Sequence, residues 1–265
     1  MDTPLVRAPL PDYARIATMK PPKQGDTVQQ LIAAARELSR QMDQLTFAAP
    51  VAQVYHPLTY ARPMHEAYLR RFDGGHKRVV FLGMNPGPFG MVQTGIPFGE
   101  IAAVRDWMHL RAPIGRPATE HPRRPIMGLK CPRSEVSGRR FWGLFSKRFG
   151  SPEKFFAAHF VANYCPLAFL SASGANLTPD RLPRAERESL FAACDTHLRR
   201  VLAILKPEWL IGVGAFARDC GERVSAGTGI RVGQILHPSP ASPKANRHDW
   251  AQTATEELIA LGVWR

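Results

Sequence analysis

The chain is poor in cysteine: Cys131, Cys165, Cys194 and Cys220 are the four among 265 residues, far apart and without a CxxC pair. That spacing argues against a zinc site and an iron–sulfur cluster, whose ligands come in closely spaced sets. No metal and no cofactor are expected, and the thiols should be reduced and partly buried. No stretch approaches the ~20 apolar residues of a membrane span, and the charged N-terminus lacks the apolar run of a secretory signal. The expectation is a soluble, intracellular protein. GxxxxGK[ST] and GxGxxG are also absent, which removes two common glycine-rich phosphate cradles. Acidic residues are scarce beside basic ones, 22 against 35, for a net charge of +13. Such a surplus suits a polyanionic partner, although a merely solvated basic surface gives the same count. There are no internal repeats.

What is present is enough for a full core: 45% of the residues are hydrophobic, which suffices for one large domain. Residues 1–25 are rich in proline and charge without periodicity and read as a mobile arm, leaving 26–265 as one domain. In 27–45, Leu31, Ile32, Ala35, Leu38 and Met42 fall at helical spacing. Four short apolar runs, 79–84, 159–165, 208–214 and 231–237, are bounded by Gly or Pro and read as buried strands of a parallel sheet. Helical patterns lie between them: GEIAAVRDWMHL, SPEKFFAA, RAERESLFAACDTHLRRVLAIL, GAFARDCGERV and DWAQTATEELIALG. The alternation predicts an α/β fold, a three-layer α/β/α sandwich around a central, mainly parallel four-stranded sheet. Residues 111–140 are a basic, proline-rich insertion with no clear period.

Two segments concentrate the chemistry. VVFLGMNPGPFGMVQTGIPFG (79–99) runs from a strand into a turn dense in Gly and Pro, and RVGQILHPSPASPKANRHDW (231–250) runs from a strand into a basic, proline-stiffened loop. Glycines permit close approach of a ligand and prolines stiffen the path. Two strands with polar ends imply one cleft at the carboxyl edge of the sheet. Taken alone, Asn85 is equally an Asx-turn residue, His237 a histidine capping its strand, and Phe98 a core aromatic.

GMNPGPFGMVQTGIPFGE and HPSPASPKAN resemble the two active-site motifs of the single-strand-selective monofunctional uracil-DNA glycosylases. The resemblance extends through PIMGLKCPRSEVSGRRFWGLF (125–145) and FVANYCPLAFL (160–170), and so covers residues 45–262 in register. It implies a DNA repair enzyme that hydrolyses the N-glycosidic bond of uracil, and of 5-substituted uracils such as 5-hydroxymethyluracil, in single- and double-stranded DNA. His237 resembles the histidine that stabilises the departing uracil anion at O2, and Asn85 the asparagine that positions the attacking water. An amide cannot take up a proton, so Asn85 would orient rather than act as a base. Asn163 resembles the base-reading asparagine, accepting from uracil N3–H and donating to O4, the reverse of what cytosine offers. Phe98 would stack on the base, with Met84, Pro86, Gly87 and Met91 lining the rest by the same resemblance.

On the DNA side, Ser134, Ser137, Ser239 and Ser242 are candidate phosphate donors, with Arg139 and Arg140 behind them, though each serves equally as an ordinary surface residue. The loop with Pro243, Lys244, Asn246, Arg247 and His248 could enter the gap left by a flipped base; a solvated basic loop is the alternative. The sequence departs from the family at Ala241, where a larger basic residue is usual, which puts one phosphate contact in doubt. Neither motif carries a lysine on its strand end, so no Schiff base is expected and the product is an abasic site without strand cleavage. The expected partner is DNA containing uracil or a related damaged base, with no membrane partner, and the protein is expected to act as a monomer. The rivals are a glycosylase acting mainly on deaminated purines, a non-catalytic single-strand binding module, and a nucleotide-binding α/β enzyme. The last suffers because prolines at 86 and 88 remove the N–H donors a phosphate cradle needs.

Overall fold

A computed structural model of the chain describes residues 24–72, 75–247 and 249–265. The arm expected at 1–25 lies outside them except for Gln24 and Gly25, which open the first helix. In chain order the helices are α1 (Gln24–Met42), α2 (Pro57–Tyr60), α3 (Arg62–Phe72), α4 (Met91–Thr94), α5 (Val136–Phe149), α6 (Pro152–Phe156), α7 (Arg184–Leu205), α8 (Ala215–Ser225), α9 (Pro243–Arg247) and α10 (Trp250–Ala260). The strands are β1 (Gln53–Tyr55), β2 (Val79–Gly83), β3 (His159–Asn163), β4 (Ala168–Leu170), β5 (Asn176–Leu177), β6 (Trp209–Val213) and β7 (Arg231–Ile235).

The four apolar runs form one parallel sheet in the order β3-β2-β6-β7. β2 and β6 are buried along their whole length, as strands covered on both faces must be. Side chains alternate between those faces. Phe81 packs on Phe141, Phe145 and Phe155 of α5 and α6. Level with Phe81 in the register, Ile211 and Gly233 meet Leu261 at the end of α10, whereas one position earlier Leu210 and Val232 meet α8 at Gly221. Helices therefore cover both faces, in the expected three layers.

The carboxyl ends of β2, β3, β6 and β7 share one edge. Beyond the last ladder pair, Gly83 with Asn163, the two chains stay joined: Tyr164 N–H donates to Gly83 O at 2.9 Å and Cys165 N–H to Met84 O at 2.9 Å. At β7 the exit is held by α10, where Trp250 Nε1 donates to Leu236 O (2.8 Å) and Glu257 Oε2 accepts from Leu236 N–H (2.7 Å).

Three features differ from the sequence expectation. The segment expected to be helical over 99–110 is helical only over 101–107, and takes a π-helical form at Ala103–Trp107. The 111–140 insertion ends in α5, whose buried Gly138, Phe141, Trp142 and Phe145 follow helical spacing. A second, antiparallel sheet in the order β1-β4-β5 was not anticipated; its strands are too short to display alternation. It presents Tyr55, which accepts from His121 N–H and donates to Arg124 O (2.6 Å). The buried Gln93 side chain donates to Pro88 O and Pro125 O and accepts from Met127 and Gly128 N–H. The insertion is thereby fastened to the turn after β2, with all four of these bonds made by one buried amide.

Burial holds the imidazoles of His159, His197 and His237 down to about 4. Unfolded histidine titrates near ~6.5, so between those values the unfolded chain binds protons that the native chain does not. Stability then rises with pH across that window and is lost as pH falls from ~6.5 toward 4. Glu135 and Glu257, raised by burial, act in the opposite direction but with smaller shifts. The urea midpoint should therefore fall on going from pH 7.5 to pH 5, and an unchanged or higher midpoint at pH 5 would contradict the three buried neutral imidazoles.

Candidate active site

At the carboxyl edge of the parallel sheet lies a cavity of about 300 Å³ lined by Met84, Asn85, Gly87, Pro88, Met91, Phe98, Glu135, Ser137, Asn163, Asn176, Thr178, His237 and Ser239. Asn85, Asn163 and His237 arrive from the ends of three different strands, β2, β3 and β7, and one sheet edge brings them together. Of the wall residues anticipated from the sequence, Met84, Gly87, Met91 and Phe98 are here, whereas Pro86 is buried away from the lining.

The side chains of His237, Asn85 and Asn163 are each oriented by a neighbour. His237 Nδ1 accepts from Ser239 N–H at 3.1 Å, so Nε2 carries the proton in the neutral ring. Burial keeps that ring neutral down to about pH 4. Asn85 Nδ2 donates to Leu167 O at 3.2 Å, which leaves its Oδ1 free to accept from a water. Asn163 Nδ2 is 3.2 Å from Met91 Sδ, a weak acceptor that favours the amide nitrogen on that side. Its second N–H and its Oδ1 remain for a ligand.

Phe98 has φ of 53°, a left-handed backbone uncommon for a bulky residue and held only where surroundings impose it. Here Trp142 Nε1 donates to Phe98 O at 3.1 Å, and the Phe98 ring stacks on Phe141 at 4.3 Å and 12°. One ring face is thus backed by the core and the other borders the cavity. Gly83, which the motif reading passed over, lies beneath: a Cβ there would stand 2.7 Å from the Phe98 ring and closer still to Asn163 Oδ1. Pro88, Glu135, Asn176 and Thr178 were also missed. Pro88 and Glu135 fall inside segments that carry the resemblance, but nothing in the pattern marks either side chain, and Glu135 is one carboxylate in a stretch without period.

The DNA-facing candidates divide. Ser137 and Ser239 line the cavity. Arg140 donates to Pro238 O (3.0 Å) and Asn246 Oδ1 (3.1 Å), and Asn246 Nδ2 donates to Pro240 O (2.6 Å). These two therefore strap the 238–247 segment to α5. Ser134 accepts from Arg139, and Ser239 Oγ accepts from Ala241 N–H (3.1 Å). Lys244 and Arg247 are exposed on α9, a short helix within the segment expected to be a proline-stiffened loop; Pro243 suits its first turn, where a missing N–H costs nothing. Ser242 is half-buried, and His248 lies outside the described residues. Across the cavity, Arg133 and Arg124 stack on Phe89, 4.0 and 5.2 Å from the ring centroid, and add positive charge beside the turn after β2. Among the described residues no cluster of His, Cys, Asp and Glu is placed to hold a metal ion, and no helix is long and apolar enough to cross a membrane.

Comparison with known proteins agrees with this geometry. Residues 70–259 match the model of the uracil DNA glycosylase superfamily. The mouse single-strand selective monofunctional uracil DNA glycosylase is 48% identical over 228 residues, spanning 85% of this chain and 81% of the mouse protein. The cattle protein of the same name is 48% identical over 84% of its length. The crystal structure of wild-type Pedobacter heparinus SMUG2 shares the fold, with a TM-score of 0.62 at 17% identity, covering 87% of this chain and 99% of that one. With the matched region taking in both motif turns and all four strands of the parallel sheet, the chain belongs to the uracil DNA glycosylase superfamily and, within it, to the single-strand-selective monofunctional family.

Proposed function

We propose that the protein hydrolyses the N-glycosidic bond of uracil in single- and double-stranded DNA, releasing the free base and leaving an abasic site with the strand intact. The observation that carries this reading is the convergence on one cavity of a neutral Nε2–H donor, an anchored amide with a free oxygen, and an amide able to pair with uracil N3–H and O4 over a stacking ring. Uracil departs as an anion, so the donor at O2 lowers the barrier where charge develops. The sugar left behind has oxocarbenium character, and a water held by Asn85 Oδ1 is a sufficient nucleophile without a base. The base must be extruded to reach the cavity. On the C5 side the cavity meets Gly87 and the Glu135 side chain that takes the space a Cβ at 87 would fill, a polar wall that supports entry of 5-hydroxymethyluracil. DNA as substrate places the enzyme's work inside the cell, and one chain holds every group the chemistry needs, which supports action as a monomer.

The test is base release from a single-stranded oligonucleotide with one uracil. Free uracil and an alkali-labile site, with no cleavage before alkali, are expected; hypoxanthine release in preference to uracil would favour the deaminated-purine alternative, and tight binding without release a binding module. Asn163→Asp should suppress uracil release and raise that of cytosine relative to uracil, since a carboxylate cannot donate to O4 but can accept from cytosine N4.

A further prediction concerns α9. If Lys244 and Arg247 contact phosphates, replacing both with Ala should lower the slope of log affinity against log salt by about 0.7 to 0.9 per contact. If the segment also props the duplex open, double-stranded substrate should suffer more than single-stranded, because only the duplex must be opened. Binding titrations at several salt concentrations, with paired rate measurements, decide both points; an unchanged slope would remove these two side chains from the interface.

A further inference from the structure

The cavity contains a carboxylate that the hydrolysis described above does not use. Glu135 sits at the residue preceding α5, half-buried, and its Oε2 accepts from Phe89 N–H at 3.1 Å. Its position relative to Gly87 is informative: a Cβ on Gly87 would stand 2.6 Å from Glu135 Oε2, and one on Gly90 3.1 Å from Glu135 Cγ. The Glu135 side chain therefore occupies the space that a larger residue at 87 would fill, and it lines the cavity beside that glycine.

The other walls say which part of the base it meets. With O2 toward His237 and the N3–O4 edge toward Asn163, the edge left over is C5–C6, and the lining left over is the 84–91 turn with Glu135 against it, together with Ser137, Asn176, Thr178 and Ser239; of these Glu135 alone carries a charge. Resting on the uracil reading above, we infer that Glu135 selects among 5-substituted uracils, accepting a hydrogen bond from a neutral donor such as a 5-hydroxymethyl group and repelling an anionic 5-carboxyl group. A carboxylate offers acceptors only, and two like charges in a partly desolvated site repel far more strongly than in water. The Phe89 N–H bond holds the carboxylate in place, and Arg133 offsets part of its burial.

The test uses the full chain and single-stranded oligonucleotides carrying uracil, 5-hydroxymethyluracil or 5-carboxyuracil, under single-turnover conditions at pH 8. Glu135→Gln should raise the 5-carboxyuracil to uracil rate ratio by about 10-fold or more over wild type, and lower the 5-hydroxymethyluracil to uracil ratio. Ratios within one preparation cancel both the folded fraction and the loss from a weakened Phe89 contact, and comparison with wild type cancels the intrinsic leaving ability of each base. Glu135→Asp keeps the charge and should keep the bias against 5-carboxyuracil. Ratios for Glu135→Gln within twofold of wild type, with uracil still released, overturn the inference alone. No uracil release by wild type overturns the glycosylase reading and the inference with it.

Discussion

His237→Ala is expected to lower the single-turnover rate of uracil release about 10²- to 10³-fold while leaving DNA affinity nearly unchanged. The magnitude is that of removing one preorganised donor from a site where negative charge develops. The ring is held ready to donate, because Ser239 N–H occupies Nδ1 (3.1 Å) and Nε2 carries its proton without any need for a second one. Neutrality follows from burial, which holds the imidazole down to about 4. A cationic histidine would instead give a rate that falls as pH rises through ~6.5. The wild-type rate should thus show no inflection between about pH 6 and 8, and His237→Gln, which retains an N–H donor the same number of bonds from Cα, should recover part of the loss. Near wild-type turnover in His237→Ala would sink the leaving-group assignment, and a clear inflection near 6.5 would sink the neutral-donor reading.

The parts of this site that were legible in the sequence are those where one residue announces its role through its neighbours. Asn85 and His237 each follow an apolar run and precede prolines, so a strand end and a turn could be read on both sides. The parallel sheet was legible for the same reason: Val79–Gly83 and Trp209–Val213 are continuous apolar segments with abrupt ends. Glu135 was not, because what matters about it is the 3.1 Å bond to Phe89 N–H, a contact between residues 46 apart. α5 could have been found from Gly138, Phe141, Trp142 and Phe145, had the basic and proline-rich character of 111–140 not masked where its periodicity begins. Arg140 and Asn246 look like surface charge and amide in the sequence, and only the fold reveals that they bond each other at 3.1 Å and brace the loop after His237.

Gly83 is the extreme case, a residue whose importance lies in what it lacks. In the sequence it is the last small member of a strand; in the fold it is paired in register with Asn163 and roofed by Phe98. Gly83→Ala should reduce single-turnover uracil release about 10²-fold or more, since an error of about 1 Å at reacting or positioning groups costs that much. A methyl group would stand 2.7 Å from the Phe98 ring and closer still to Asn163 Oδ1, so at least one of them must move. Phe98 has little freedom to yield, being stacked on Phe141 at 4.3 Å and bonded through its carbonyl to Trp142. Asn163 is the weaker side, with a thioether as its internal partner. Its displacement would disturb both base-edge contacts while leaving the phosphate-facing charges untouched. The expected signature is therefore a large loss in rate, near-normal DNA affinity and unchanged secondary structure by circular dichroism, with discrimination between uracil and cytosine eroded. If Gly83→Ala turned over uracil within a few-fold of wild type, the tight fit between the strand end, Asn163 and Phe98 could not be what fixes the base.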